Sequence, residues 1–155
     1  MTTTMSNRFE HIQGRLEAEK RFATVESADG TIRCQALEVE SPAFYIIEPL
    51  DNGFAVMFAT PDRWLNESIE ADLVHTGDDI AELIEEEYLE ADDSIEEVDR
   101  PVVKHYRSDD FLYTFRSEFS GTPGGDQEHD LACAWLLAYE AAFSELGDMG
   151  GPEEE

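Results

Sequence analysis

Residues 43–60 read Ala43-Phe44-Tyr45-Ile46-Ile47-Glu48-Pro49-Leu50, then Asp51-Asn52-Gly53, then Phe54-Ala55-Val56-Met57-Phe58-Ala59-Thr60. Two apolar runs rich in aromatic and β-branched residues, joined through an Asx-Gly turn, specify a β-hairpin. On the second run Phe54, Val56 and Phe58 share one face while Ala55, Met57 and Ala59 share the other. Both faces are apolar, so the strand is expected to be central, and either covered on both sides or covered on one and paired with a second subunit on the other. Pro49 lacks a backbone donor, which places a ladder end or a bulge there.

The flanking sequence extends this hairpin into a sheet. Phe22–Ala28 and Thr31–Glu40 flank Asp29-Gly30, a two-residue turn of the kind hairpins prefer. Ile32, Cys34 and Ala36 hold one face, but Leu37 and Val39 belong to the other, so either a bulge near 35–37 or burial of both faces at the strand's end is expected. With Ser41-Pro42 as a short connection, the four segments form an antiparallel meander. Val102–Arg107 and Phe111–Phe119 add a second hairpin around Ser108-Asp109-Asp110.

Helical signals surround the strands. Asn7 with Glu10 is a capping pair, and Phe9, Ile12 and Leu16 recur at helical spacing, with Gly14 as a weak point. Thr60-Pro61-Asp62 reads as a helix start with Thr60 at the cap, followed by Leu65, Ile69 and Leu73; Thr76 and Asp79 open a second helix through Ile80, Leu83, Ile84 and Tyr88. The last helix starts near Asp126 and is apolar nearly all round from Leu131 to Phe143. The expected fold is therefore α+β: an antiparallel sheet of five or six strands, meander plus hairpin, with helices packed on one face. One domain is expected over 1–155, with its core at about 7–146 and a flexible acidic tail at 147–155.

Charge limits the partners. Ten Lys and Arg face 37 Asp and Glu, a formal charge of −27, yet 41% of residues are apolar, which argues against disorder. Between Trp64 and Asp99 there are 15 acidic residues and no Lys or Arg. Nucleic-acid phosphates and anionic membranes would be repelled, so neither is an expected partner. The acidity is a solubilising coat, an adaptation to a salty interior, or a surface for a basic partner. No signal-like or membrane-spanning run is present, and a cytoplasmic location with free thiols at Cys34 and Cys133 is expected.

Residues spaced for chemistry are few. His129 and Cys133 lie one helical turn apart, but no further pair is spaced to complete a metal site. The run Asp92–Asp99 lacks the alternating ligands and glycine of an EF-hand loop. No nucleophile elbow, phosphate loop or dinucleotide fingerprint occurs, so no catalytic, cofactor or metal residue is assigned. What stands out is apolar surface. Trp135, Leu136, Tyr139 and Phe143 are not expected all to face one direction on that helix, so either the sheet and the middle helices enclose it or these side chains form a partner or dimer surface.

In size, acidity and its α-β-β-β-α-β-β-α-like order the chain resembles the type III secretion chaperone-like group, small acidic proteins with an antiparallel sheet that usually pair as homodimers. The resemblance spans most of residues 7–146 and is carried by layout and charge. The strand at Phe22–Ala28 departs from the group's pattern, and no client-binding residue carries over to a position here. It implies a noncatalytic, chaperone-like module whose partner is a protein or a second copy. The alternatives are an acidic decoy that inhibits a basic or nucleic-acid-binding protein through Glu67–Asp99, and a small hydrolase or thiol enzyme.

Overall fold

The computed structural model describes residues 12–20, 22–28, 31–36, 43–51, 53–77, 79–91, 102–107, 112–120 and 126–144. The elements run α1 (Ile12–Glu19), β1 (Phe22–Ala28), β2 (Thr31–Ala36), β3 (Phe44–Leu50), β4 (Gly53–Thr60), α2 (Arg63–Thr76), α3 (Ile80–Ala91), β5 (Lys104–Arg107), β6 (Tyr113–Ser120) and α4 (Asp126–Phe143). The strands form one antiparallel sheet in the order β1-β2-β3-β4-β6-β5. The fold is α+β, as the hydrophobic pattern requires, and the strand of residues 53–60 lies inside the sheet.

Register explains several local features. The β3–β4 ladder runs through Pro49, opposite Phe54, and closes at Leu50 opposite Gly53, so the proline stands one pair from the ladder's end. The irregularity expected near residues 35–37 falls on the facing strand: the β1–β2 register shifts between Phe22 and Thr24, opposite Ala36 and Gln35. Leu37 and Val39, like the capping pair Asn7 and Glu10, lie outside the described residues. Thr60 does not cap α2. It stays in the ladder opposite Tyr113, and Asp62 takes the cap, its Oδ1 accepting from the Leu65 N–H at 3.1 Å. A residue still held in a strand cannot release its backbone to start a helix. Gly77, with φ 76°, closes α2 in the left-handed region and donates its N–H to the Leu73 carbonyl.

Every described helix lies on one side of the sheet or on a helix that does. α1 reaches β1 through Gln13, whose Nε2 donates to the Val25 carbonyl at 2.9 Å, while Ile12 and Leu16 are buried. α4 crosses the middle, with the Phe143 ring stacked on Phe58 at 4.5 Å between centroids. α3 packs on α4, with Tyr88 stacked on Trp135 at 3.8 Å. α2 meets the β5 edge through Glu70 and His105. Beneath these helices runs a row of cross-strand partners, Val25, Cys34, Tyr45, Phe58, Phe115 and His105, one from each strand. Neighbouring aromatic rings in it are tilted at 5.4 Å for Tyr45–Phe58 and 6.3 Å for Phe58–Phe115, the offset geometry that aromatic pairs favour.

Phe58 is fully buried at the junction of that row with α4. Phe58→Ala is expected to lower unfolding free energy by about 3–5 kcal/mol in urea denaturation. Gly14 sits inside α1 with open space where a Cβ would go, so Gly14→Ala is expected to raise it by about 0.5–1 kcal/mol. Equal midpoints for wild type and Phe58→Ala would contradict the packing described.

Candidate functional site

Sequence reasoning singled out Trp135, Leu136, Tyr139 and Phe143, and the structure places all four inside the chain. Their exposures are 3%, 0%, 0% and 0%. Trp135 lies between Tyr88 of α3 and Phe119 of β6, at 3.8 and 4.9 Å between ring centroids. Phe143 rests on Phe58 and Phe115. The Tyr139 hydroxyl shares a 2.6 Å hydrogen bond with Ser117 Oγ. Burial pushes the Tyr139 phenol well above its ordinary range, so it acts as a neutral hydrogen-bonding group. The sheet encloses the helix on one side and α3 on another; against expectation, residues 135, 136, 139 and 143 fall within about 100° of one another around it, so the four side chains turn inward together and offer no surface to a second chain in this conformation.

The chemical candidates are equally enclosed. Cys34 and Cys133 are buried free thiols, on β2 and α4. Burial raises Cys34 to about 12; it raises Cys133 to about 11, with Arg15 pulling the other way and Asp130 and Glu19 adding to the rise. A nucleophilic thiol needs the opposite, exposure and a lowered pKa. His129 and Cys133 do share a stretch of α4, but no group of three or more His, Cys, Asp or Glu side chains converges among the described residues.

The feature that sequence reasoning left unlocated is the other side of the sheet, which no described helix covers. Its cross-strand rows follow from the register. One is Glu26, Arg33, Ile46, Met57, Arg116 and Lys104; the next is Gln35, Phe44, Ala59, Thr114 and Tyr106; a third is Glu48, Ala55 and Glu118. The middle is low, because Ala55 and Ala59 are small and wholly sunk between their neighbours. Phe44, Ile46 and Met57 are partly exposed around it, and Tyr106 is 40% exposed at the rim.

Charges on this face are neutralised in place. Arg116 donates from Nη1 to Glu48 at 2.6 Å and from Nε to Glu118 at 3.0 Å, and Nη1 also lies 3.4 Å from the Met57 sulfur. Arg33 is 3.5 Å from Glu26, and its guanidinium carbon stands 4.9 Å from the centre of the Phe44 ring. Lys104 adds a third cation against the carboxylates of Glu26, Glu48 and Glu118, so among the described residues the strands' charges on this face balance, on a chain of charge −27. The sign changes on the helices. Across α2 and α3 the exposed charges include Glu70, Glu82, Glu86 and Glu90, while Arg63, paired with Glu67 at 2.9 Å, is the sole Lys or Arg.

Comparison with known proteins gives no match to a family model, to a curated protein or to a solved structure. No described helix is long and apolar enough to cross a membrane.

Native-state labelling of both thiols with a disulfide reagent near pH 8 is expected to be about 10²-fold slower than in denaturant, with Cys133 the faster of the two. Because both groups are raised, their neutral forms favour the fold. Their stabilisation is intact below about pH 8 and is lost as pH climbs from about 8.5 toward 11, measurable as a falling urea midpoint. Rapid native labelling of either cysteine would revive a thiol-enzyme reading.

Proposed function

We propose that the chain is a noncatalytic, chaperone-like protein-binding module that docks a protein partner on the uncovered face of its sheet, the simplest partner being a second copy to form a homodimer. The observation that supports this reading is the coincidence of apolar character and charge balance on one side of β3, β4, β6 and β5. Phe44, Ile46 and Met57 supply apolar area worth about 25 cal/mol per Å² when water is removed. The balanced charges keep local repulsion low where two anionic molecules meet. Two such sheets stacked face to face lie about 10 Å apart, a spacing that Ala55 and Ala59 accommodate. The resemblance to the type III secretion chaperone-like group agrees with such pairing.

A basic partner is the second reading, favoured by the acidic exterior of α2 and α3. The two readings respond to salt with opposite sign. Long-range repulsion between anionic copies is screened as the Debye length drops from about 10 Å at 0.1 M to about 3 Å at 1 M, so face-to-face pairing strengthens with salt. Capture of a basic protein by α2 and α3 weakens over the same range.

Sedimentation equilibrium across 0.1–1 M salt tests the proposal. A dimer that tightens with salt is expected, with Ile46→Asp weakening it at least ~100-fold by placing a new anion near its own copy across the interface. A monomer at every salt concentration would leave the reading standing only if a reduced, unfolded model protein is held in molar salt and released by Ile46→Asp. Failure of both would overturn it.

A further inference from the structure

His105 occupies the edge strand, and both of its ring nitrogens face oxygen acceptors. Nδ1 lies 2.9 Å from the Thr114 carbonyl oxygen and Nε2 lies 2.6 Å from Glu70 Oε2. A carbonyl oxygen accepts only, and so does an ionised carboxylate. The two bonds therefore coexist when each ring nitrogen carries a proton. The ring also lies flat on Phe115, at 3.8 Å between centroids and 9° between planes, which presents a cation to an aromatic face.

We propose that His105 is a protonation-dependent latch: as an imidazolium it ties α2 to the β5–β6 edge of the sheet, and on losing a proton it lets α2 lift away.

Three observations make α2 the element that such a latch controls. Its buried residues are Leu65, Asn66 and Ile69, whereas Trp64 and Val74 are 76% and 82% exposed. Leu65 and Ile69, with the partly buried Leu73, are the apolar groups that hold it down. Asn66 is itself 5% exposed, and its Oδ1 has no hydrogen-bond donor among the described residues, a penalty that water would relieve if the helix moved out. Glu70 follows Asn66 by one helical turn, so the polar tie and the unsatisfied amide share a stretch of the same helix. Lifting α2 would uncover Leu65 and Ile69, now 3% and 0% exposed.

The neighbouring charges do not take over the role of Glu70. Arg107 stands two residues along β5, opposite Tyr113 of β6. On α2, Arg63 interacts with Tyr113 and is bonded to Glu67 at 2.9 Å. Lys104 belongs to the other face of the sheet, and α4 contributes the uncharged Phe143 ring against Phe115. The latch is closed while both ring nitrogens carry protons and opens when one of them is lost.

Hydrogen exchange across residues 63–76, expressed as protection relative to intrinsic rates, tests this. Protection in α2 is expected to fall about three- to tenfold between about pH 6 and pH 8.5, the size of one charge-assisted bond at a partly exposed site, while α4 holds constant. His105→Gln should show the low level at both pH values. Glu70→Ala removes the acceptor from the helix side and should do the same, so the result does not depend on one variant folding. A nitrogen-edited spectrum near pH 6 should show protons on both His105 ring nitrogens. Protection in wild-type α2 that ignores pH, an unchanged pH response in either variant, or a singly protonated ring near pH 6 would overturn the proposal.

Discussion

The Phe58–Phe143 stack joins the sheet to the C-terminal helix, and the rest of the architecture follows from it. Phe58 sits in the middle of a row of side chains crossing all six strands, and Phe143 closes over that row from α4. Once α4 is seated there, Tyr139 meets Ser117 and Trp135 meets Phe119, because these residues follow one another along the same helix face and the same strand. Trp135 in turn offers a flat ring for Tyr88, which fixes α3 as an outer layer. Each contact orients the next, so the chain assembles as one core despite its charge.

That charge is partitioned. Carboxylates crowd the outward sides of α2 and α3, where water and counter-ions solvate them. On the uncovered side of the sheet, Arg33, Lys104 and Arg116 bring cations that the helical middle of the chain almost lacks. Arg116 is the centre of this arrangement, its side chain 17% exposed and held between Glu48 and Glu118. A surface meant only for solubility would have no need to place scarce cations beside Met57, Ile46 and Phe44. Their placement there is what distinguishes this face from the anionic remainder.

The sheet was legible in the sequence wherever a two-residue turn separated alternating runs, as at residues 43–60, and α4 was legible from its length and apolar content. Three things were not. The apolar side chains on both faces of β4 gave no way to tell which face the helices would cover; that depended on α4, whose all-round apolarity was compatible with either enclosure or an open seam. The cap of α2 was read at Thr60 instead of Asp62, because both are good caps and the choice is made by the Thr60–Tyr113 ladder pair, a long-range contact. The balanced face was invisible because Arg33, Glu48 and Arg116 are far apart in sequence and become neighbours only through the registers of β2, β3, β4 and β6.

α2 differs from α4 in what holds it to the fold. α4 is retained by area: its inward residues are large, apolar and fully enclosed, so its docking varies little with conditions that alter charge. In α2 the division is mixed, with tryptophan and valine facing water and asparagine facing in beside Leu65 and Ile69. Leu65 and Ile69 still anchor the helix, but the Glu70–His105 bond adds a directional polar tie, which depends on protonation in a manner that apolar burial does not. Local stability within one cooperative fold can therefore differ by element, and the least apolar interface is the one most open to control by a single titrating side chain.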